Sequence, residues 1–311
     1  MPANEQLVDV GGRTLRLRNL DKVLYPSTGT TKGELLHYLT SVSGLLLPHL
    51  KDRPATRKRW PDGVESSTTF FEKNVPRGAP SWLRDVTLPA PGSTKDREMV
   101  TYPLIDDLAG LVWAANLAAL ELHVPQWRVG PRGAAKDPDL LVIDLDPGAP
   151  AGLPQCAEVA WAVREKLEDD GLVAFPVTSG GKGMQLYAAV SGKQDATTVR
   201  EYAHRLAEGL EREMPRLVVS RMAKALRKNK VLLDWSQNHS AKTTICPFSP
   251  RGRERPTVAA PRTWDELDDP GALRQLEFGE VLDRVPDLGD PLAELLPTGN
   301  RAGKGPRVPT S

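Results

Sequence analysis

The feature that most constrains the fold is a run of four apolar residues at 140–143, followed directly by Asp144-Leu145-Asp146 and a Pro-Gly pair. Such a run before a Pro-Gly turn is typical of a buried strand. Side chains alternate along a strand, so both carboxylates project from the same face. They repel each other and lose hydration there, and a divalent cation is the obvious compensation. An ordinary acidic turn is the alternative interpretation.

Composition indicates a globular protein rather than a membrane or secreted one. Of the 311 residues, 40% are hydrophobic and 26% are charged, which is ordinary for a soluble domain. No run of about 18 apolar residues predicts a membrane span, and the first residues do not resemble a secretory signal. The two cysteines, Cys156 and Cys246, are far apart, which argues against a disulfide or a zinc site. A cytoplasmic location is expected.

Basic residues are clustered although the formal net charge is only +1. They crowd the segments 53–59, 221–230 and 251–255, whereas acidic residues are concentrated between 265 and 294. This asymmetry permits a basic face on a nearly neutral protein. Solvated loops and helix faces are the alternative explanation for any single cluster.

Periodicity predicts one mixed α/β (α+β) domain over residues 1–297, with no internal repeat, and a disordered basic tail over 298–311. Asp107 is expected to cap a buried helix that runs to about Leu122. A hairpin is predicted around Gly11-Gly12. Further helices are predicted over 32–46, 155–170, 198–214 and within 264–296, and further strands over 172–177, 184–190, 217–219 and 230–234.

Asp144, Asp146 and Asp234 are the candidate metal ligands. Asp234 ends a short apolar strand, as Asp146 does. Carboxylates are the ligands that Mg²⁺ and Mn²⁺ prefer, and two such ions about 4 Å apart can activate an attacking hydroxyl and stabilise a leaving oxygen. Capping of a turn is the alternative interpretation of Asp234.

The turn Ser179-Gly180-Gly181-Lys182-Gly183 lies between two predicted strands. Its amides can surround an anion, and its hydroxyl and ammonium groups add to phosphate binding. It lacks the spacing of a Walker P-loop, and a strand rather than a helix follows it. An ordinary glycine turn is the alternative.

Three other segments suggest contacts to a nucleotide. His123 follows the predicted buried helix and is either a hydrogen-bonded core residue or a ligand contact. Arg251-Gly252-Arg253 can clamp phosphates, because guanidinium groups match phosphate oxygens. Phe70 and Phe71 can offer a stacking platform for a base, although at least one is expected to pack in the core.

Together these segments resemble the polymerase domain of bacterial ligase D, the end-joining branch of the archaeo-eukaryotic primase superfamily. The resemblance extends from about residue 19 to residue 296. Nine segments carry it, in the family's order: NLDKVLYP (19–26), PATRKRWP (54–61), FFEK (70–73), HVPQW (123–127), DLDPG (144–148), SGGKG (179–183), DWSQN (234–238), KTT (242–244) and RGR (251–253).

The resemblance implies a primase-polymerase fold with an RRM-like catalytic core flanked by helices. It implies that Asp144, Asp146 and Asp234 bind two catalytic Mn²⁺ or Mg²⁺ ions. The nucleotide contacts that it implies are His123, Ser179, Lys182, Gln185, Gln237, Lys242, Arg251 and, by stacking on a base, Phe71. The family usually has a histidine where this chain has Gln185, so weaker or altered nucleotide binding is expected.

The resemblance also implies contacts to DNA. Arg227 and the loop at 91–99 match loops that help to align broken ends. The residues that match positions gripping a 5′-phosphate at a gap or break, or lie in the same basic neighbourhood, are Asn19, Lys22, Lys32, Lys58 and Arg59.

The function implied is a nucleotidyltransferase that fills gaps and extends DNA ends with NTPs or dNTPs, preferring ribonucleotides, in double-strand-break repair by non-homologous end joining. A Ku-type protein and a DNA ligase are the implied protein partners, and a nucleoid-associated location follows. A DNA-end-bridging module with weak polymerase activity is the alternative. A glycosyltransferase or phosphatase aspartate motif is a more distant one, because neither explains the basic segments.

Overall fold

The computed structural model describes residues 5–89, 98–296, 303 and 305–310. Its strands are β1 (Glu5–Val10), β2 (Arg13–Arg18), β3 (Val23–Tyr25), β4 (Thr30–Thr31), β5 (Thr56–Arg59), β6 (Phe70–Glu72), β7 (Asp85–Pro89), β8 (Met99–Pro103), β9 (Ala119–Val124), β10 (Leu140–Pro147), β11 (Ala174–Thr178), β12 (Met184–Ala189), β13 (Val218–Val219), β14 (Val231–Asp234), β15 (Thr244–Ile245) and β16 (Ala260–Pro261). Its α-helices are α1 (Lys32–Ser41), α2 (Ser43–Leu50), α3 (Leu108–Asn116), α4 (Leu153–Asp169), α5 (Ala196–Glu213), α6 (Trp264–Leu267) and α7 (Phe278–Leu288).

A six-stranded sheet with the order β13-β14-β10-β12-β11-β16 is built around β10. All neighbours are antiparallel except β13 and β14. On one face, Leu141, Ile143 and Leu145 pack in a core with residues of α4 and α5. On the other face, Leu140 and Val142 join a smaller core. Because β10 alternates, Asp144 and Asp146 lie on this second face.

A four-stranded antiparallel sheet with the order β15-β9-β5-β6 lies opposite that second face. Ile245 of β15 packs in the same small core as Tyr187 of β12, so this core joins the two sheets. The largest core is formed by α1, α2, α3 and α7 with residues of β9. The two sheets therefore face each other with the ends of β10 and β9 on either side of a cleft.

Two predicted helices differ from the structure. The helix over 32–46 is divided at Val42, which closes α1 and begins α2. Asp107 caps α3 by accepting a hydrogen bond from the amide of Gly110 at 2.9 Å, as expected. The helix does not run to Leu122, however. It ends at Asn116 because Ala118 adopts a left-handed backbone conformation (φ 56°), and the chain reverses into β9.

Most other predicted elements are confirmed, including the hairpin β1–β2 and the pair β11–β12 around the Gly-rich turn. Residues 305–310 of the predicted tail differ from the expected disorder. Val308 is buried, and its amide and carbonyl are hydrogen bonded to the side chain of Gln194 at 2.8 and 2.9 Å. Within the part of the chain that the structure describes, no helix is long and apolar enough to cross a membrane.

Candidate active site

Strand register brings the three aspartates together. In the antiparallel pair β10–β14, Asp144 lies directly opposite Asp234, and Asp146 follows two residues later on the same face. Residues directly opposite in such a pair have β-carbons about 5 Å apart. The three carboxylates thus form an acidic cluster (Asp144, Asp146 and Asp234) at the mouth of the cleft.

Asp144 is the least compensated member of the acidic cluster. Burial raises its pKa to about 7, and the charges of Asp234 and Asp146 act in the same direction. Gln185, which lies opposite Asp144 on β12, opposes this by donating a hydrogen bond from Nε2 to Oδ1 at 3.1 Å. The side chain of Gln185 therefore contacts an aspartate of the acidic cluster. The Tyr187 hydroxyl in turn lies 3.0 Å from Gln185 Oε1.

The other two carboxylates contact cations of the protein. Arg227 Nη1 lies 3.2 Å from Asp146 Oδ2, and Lys242 Nζ lies 3.8 Å from Asp234 Oδ2. Asp234 also accepts hydrogen bonds from the amide of Ser236 at 3.0 Å and from Gln237 Nε2 at 3.2 Å. Gln237 and Lys242, which were both expected to contact the nucleotide, thus contact Asp234.

A divalent cation fits the acidic cluster by its chemistry. The donors are all carboxylate oxygens, and the half-buried Asp144 lies among like charges and forms no ion pair among the described residues. Across residues 5–89 and 98–296, no three His, Cys, Asp or Glu side chains converge into a finished metal cage. Asp146 and Asp234 instead contact Arg227 and Lys242.

The cleft beside the acidic cluster has a volume of about 240 Å³ and is open to solvent. Its walls combine acidic and basic groups from both sheets. They include Asp144, Asp146, Ser179, Lys182, Gln185 and Gln237 on one side, and His123, Arg251 and Arg253 on the other.

The Gly-rich turn presents side chains rather than its first amides to the cleft. The amide of Gly180 donates to Gln275 Oε1 at 2.7 Å, and that of Gly181 donates to Ser179 Oγ at 3.2 Å. The amides of these two glycines already donate to protein acceptors, so the prediction that the turn's amides surround an anion is wrong for both. Ser179 and Lys182 line the cleft as expected. Gln275, which sequence reasoning missed, also bonds the carbonyl of Gly183 at 3.0 Å and braces the turn.

Gly183 fixes the distance between the turn and β10. A β-carbon at this position would lie 2.0 Å from the carbonyl oxygen of Leu145 and 2.8 Å from Pro147. Any side chain would therefore force the turn away from the strand that carries Asp144 and Asp146.

His123 lies on β9. The sequence-based prediction that it follows a helix is therefore wrong. The Nε2 atom of His123 is 2.8 Å from Oε2 of Glu121, two residues earlier on the same face. Glu121 is only 3% exposed and also contacts Arg251. Burial alone would raise the pKa of Glu121, but the His123 hydrogen bond and the Arg251 charge lower it to about 2. The only sequence signal for Glu121 was its spacing of two residues from His123.

Phe70 and Phe71 are both at the surface, with 43% and 53% of their area exposed. The expectation that at least one packs in the core is wrong, because β6 is the edge strand of its sheet. The Phe71 ring meets His123 edge-on at 5.7 Å, on the cleft side. Phe70 lies beneath the guanidinium of Arg59, 5.9 Å away.

Four of the five expected 5′-phosphate contacts form a basic cluster (Asn19, Lys22, Lys32 and Arg59). The amide of Lys32 donates to the carbonyl of Lys22 at 2.8 Å, and that of Lys22 to the carbonyl of Asn19 at 3.1 Å. Lys32 is 6% exposed, and its ammonium donates to the carbonyl of Arg18 at 2.7 Å. Burial lowers the pKa of Lys32 to about 8, and the charges of Lys22, Arg18 and Arg59 add to this.

Lys58 is separated from the basic cluster. Its ammonium lies 4.6 Å from the centre of the Trp60 ring, and its strand partner on β6 is Phe71. Arg59 instead bonds the Leu117 carbonyl at 2.7 Å and pairs with Glu72 at 2.9 Å. The single basic neighbourhood expected for Lys58 and Arg59 is therefore divided in two.

The two loops expected to align DNA ends are placed differently. Arg227 follows a 3₁₀ turn (Lys224–Leu226) and reaches Asp146, so it lies at the acidic cluster. Of the other loop, at 91–99, residues 91–97 lie outside the described residues.

Comparison with known proteins identifies the family of this chain. The family model of the LigD primase-polymerase domain matches residues 31–292. The multifunctional non-homologous end joining DNA repair protein LigD of Mycobacterium tuberculosis is 51% identical over 284 residues, and the bifunctional LigD of Bacillus subtilis is 33% identical over 280. These stretches cover 90% and 89% of this chain but 36% and 43% of those proteins, so the chain spans less than half of their length.

A solved structure, the polymerase domain of Mycobacterium tuberculosis ligase D in complex with DNA, is 50% identical to this chain. The two superpose with a TM-score of 0.85 over 89% of this chain and 96% of that one. The mixed helix-and-sheet primase-polymerase fold is thereby confirmed. The chain belongs to the LigD primase-polymerase family.

Proposed function

We propose that this protein is a template-directed nucleotidyltransferase that extends DNA ends and fills gaps during double-strand-break repair by non-homologous end joining. The observation that carries the proposal is one cleft lined by Asp144 and Asp146 of the acidic cluster and by Ser179, Lys182 and Arg251. Carboxylates for divalent ions beside cations for phosphates are what phosphoryl transfer requires. The names of the relatives support the repair pathway.

In this proposal the 3′-hydroxyl of a primer attacks the α-phosphate of a nucleoside triphosphate, a new phosphodiester forms and pyrophosphate leaves. Asp144, Asp146 and Asp234 hold Mn²⁺ or Mg²⁺, which supplies the charge that activates the hydroxyl and offsets the developing negative charge. Gln185 holds Asp144 in place through its amide. Lys182 and Arg251 bind the triphosphate from the side of the turn.

The remaining residues place the DNA. Phe71 is exposed beside His123 on the cleft side, where its ring can stack on a base. The basic cluster binds the 5′-phosphate on the far side of the gap, and Arg227 helps to align ends near Asp146. The family resemblance adds five further points to the proposal: preference for ribonucleotides, activation by Mn²⁺, a Ku-type partner, a DNA ligase partner and association with the nucleoid.

Extension of a one-nucleotide gap tests this proposal. The substrate carries a 5′-phosphate, and rNTP is compared with dNTP in Mn²⁺ and in Mg²⁺, with pyrophosphate release measured in parallel. We expect metal-dependent extension that is faster with rNTP. Tight binding of the gapped DNA without pyrophosphate release in either metal would contradict the proposal and favour the end-bridging alternative.

A further inference from the structure

Glu121 is a buried carboxylate that contacts two of the proposed triphosphate ligands at once. Its Oε2 lies 2.8 Å from His123 Nε2. Its Oε1 accepts from Arg251 Nε at 3.2 Å and from the amide of Gly252 at 3.1 Å. Arg251 is 130 residues away in sequence, so this one side chain ties β9 to the loop after β15.

These contacts determine which atoms of the two ligands remain for a phosphate. The Nε edge of Arg251 is occupied by Glu121, and Nη1 donates to the carbonyl of Ser179 at 2.9 Å. Nη2 lies close to Gly181, 3.9 Å from the position that a β-carbon would take there. Gly181 lines the cleft, so Nη2 is on the cleft side. Because His123 uses Nε2 for Glu121, Nδ1 is the nitrogen left for a ligand.

The negative charge of Glu121 is unfavourable for binding an anionic ligand nearby, so its presence calls for another role. A carboxylate beside a triphosphate repels it, and a buried carboxylate also loses hydration. Here the carboxylate accepts three hydrogen bonds and lies among cationic or protonatable groups, Lys58 included. Charge-assisted hydrogen bonds of this kind fix the direction of the donors as well as their position.

We propose that Glu121 is a positioning residue for the triphosphate: it holds the Arg251 guanidinium and the His123 ring so that Nη2 and Nδ1 point into the cleft. The inference rests on the proposed function, since it assigns the role of a residue beneath the same site. Glutamine at this position keeps one acceptor oxygen and replaces the other with an NH₂ donor. It can therefore no longer accept hydrogen bonds from Arg251 and from a protonated His123 Nε2 through separate oxygens, and it carries no charge.

The test compares Glu121→Gln and Glu121→Asp with a matched control, Glu266→Gln. Glu266 also pairs with two arginines, Arg262 at 2.7 Å and Arg284 at 2.6 Å, and is not among the residues that line the cleft. Binding of inorganic tripolyphosphate is measured by calorimetry, KM and kcat for nucleotide by gap extension, and affinity for gapped DNA by anisotropy.

We expect E121Q to weaken tripolyphosphate binding and to raise the nucleotide KM by about tenfold to hundredfold, the effect of losing one or two charged hydrogen bonds. Gapped-DNA affinity should stay as in wild type, and E121D should recover part of the loss. In an Arg251→Lys background the E121Q effect should shrink, because Glu121 acts in part through Arg251.

The outcomes separate two failures. Wild-type protein that binds neither tripolyphosphate nor nucleotide would contradict the proposed function itself. Wild-type binding that E121Q leaves unchanged, or an E121Q effect that stays fully additive with Arg251→Lys, would overturn the positioning role alone. Equal losses of DNA and tripolyphosphate binding, with a melting temperature well below that of E266Q, would show a general structural effect and also overturn it.

Discussion

The acidic cluster and the basic cluster are both groups of like charge, but they are built differently. Strand register fixes the acidic cluster inside a sheet, whereas backbone hydrogen bonds join Asn19 and Lys22 of the basic cluster to Lys32 at the start of α1. In each, burial drives the central group toward its neutral form, with a pKa of about 7 for Asp144 and about 8 for Lys32. The proposed ligands, a cation for the acidic cluster and a phosphate for the basic cluster, would each supply the opposite charge.

The largest expected effect comes from removing the central charge of the acidic cluster. Asp144→Asn keeps the shape of the side chain and an acceptor for Gln185 but loses the charge that holds a cation. We expect gap extension to slow by about 10³-fold or more, because metal stabilisation of developing charge contributes several kcal/mol. Single-turnover extension measures this, and affinity for gapped DNA should be unchanged. If D144N extended the gap at the wild-type rate, the charge of Asp144 would not be needed for the reaction, and the proposed role of the acidic cluster would be contradicted.

The corresponding change in the basic cluster is Lys32→Met, which keeps the buried stem and removes the ammonium. We expect affinity for a 5′-phosphorylated gap to fall by about tenfold to hundredfold, with little change for the unphosphorylated gap. Lys58→Met is the matched control, because Lys58 lies on the Phe71 side of β5. It should weaken binding of both DNAs equally. Equal losses on both DNAs for K32M would contradict the assignment.

The pH dependence distinguishes the basic cluster from an ordinary lysine patch. Lys32 has a pKa of about 8, so the free protein loses this charge as the pH rises through 8, and affinity for the 5′-phosphate should fall by about tenfold per unit above it. The free energy of unfolding should change in the opposite direction. Between about 8 and the ordinary lysine value near 10.4, the unfolded chain binds the proton more readily, so stability increases with pH.

Anisotropy titrations from pH 7 to 9.5 and denaturant unfolding over the same range measure the two trends. Lys32→Arg should flatten both, because a guanidinium stays charged throughout. An affinity that is constant up to pH 9.5 in the wild type would show that the phosphate does not use this ammonium.

The smallest expected effect is on stability, and it should have the same sign in both clusters. D144N removes a half-buried charge and K32M a buried one, and each of these charges repels its neighbours. Without divalent ions or DNA, each variant should melt about 2–4 °C above the wild type. Added Mn²⁺ should raise the melting temperature of the wild type and not that of D144N. Destabilisation of either variant would show that its cluster is already compensated by the protein.

Sequence reasoning predicted what depends on local pattern. Alternation placed Asp144 and Asp146 on one face, and turn chemistry placed the hairpin at Ser179 to Gly183; both agree with the structure. The resemblance carried by nine ordered segments predicted the family, which is confirmed. Local periodicity could not show that α3 stops at Asn116, since only the left-handed Ala118 ends a sequence of good helix formers.

The features that sequence reasoning missed depend on long-range contacts. Glu121 and Gln275 are ordinary residues in the sequence and acquire their positions through Arg251 and the Gly180 amide, brought close only by the fold. The separation of Lys58 from Arg59 follows from the strand pairs of β5, where a register shift falls between these two residues. The one available signal was the spacing of Glu121 and His123, which places both on one face of a strand.

The contact between Gly183 and β10 has a consequence for how this protein can evolve. The turn that carries Ser179 and Lys182 rests directly on the strand that carries Asp144, with no side chain between them. The distance between the turn and β10 thus depends on the absence of a β-carbon at Gly183. Substitutions of Ser179 or Lys182 can change the chemistry of the turn one residue at a time, whereas any single substitution of Gly183 changes the distance itself.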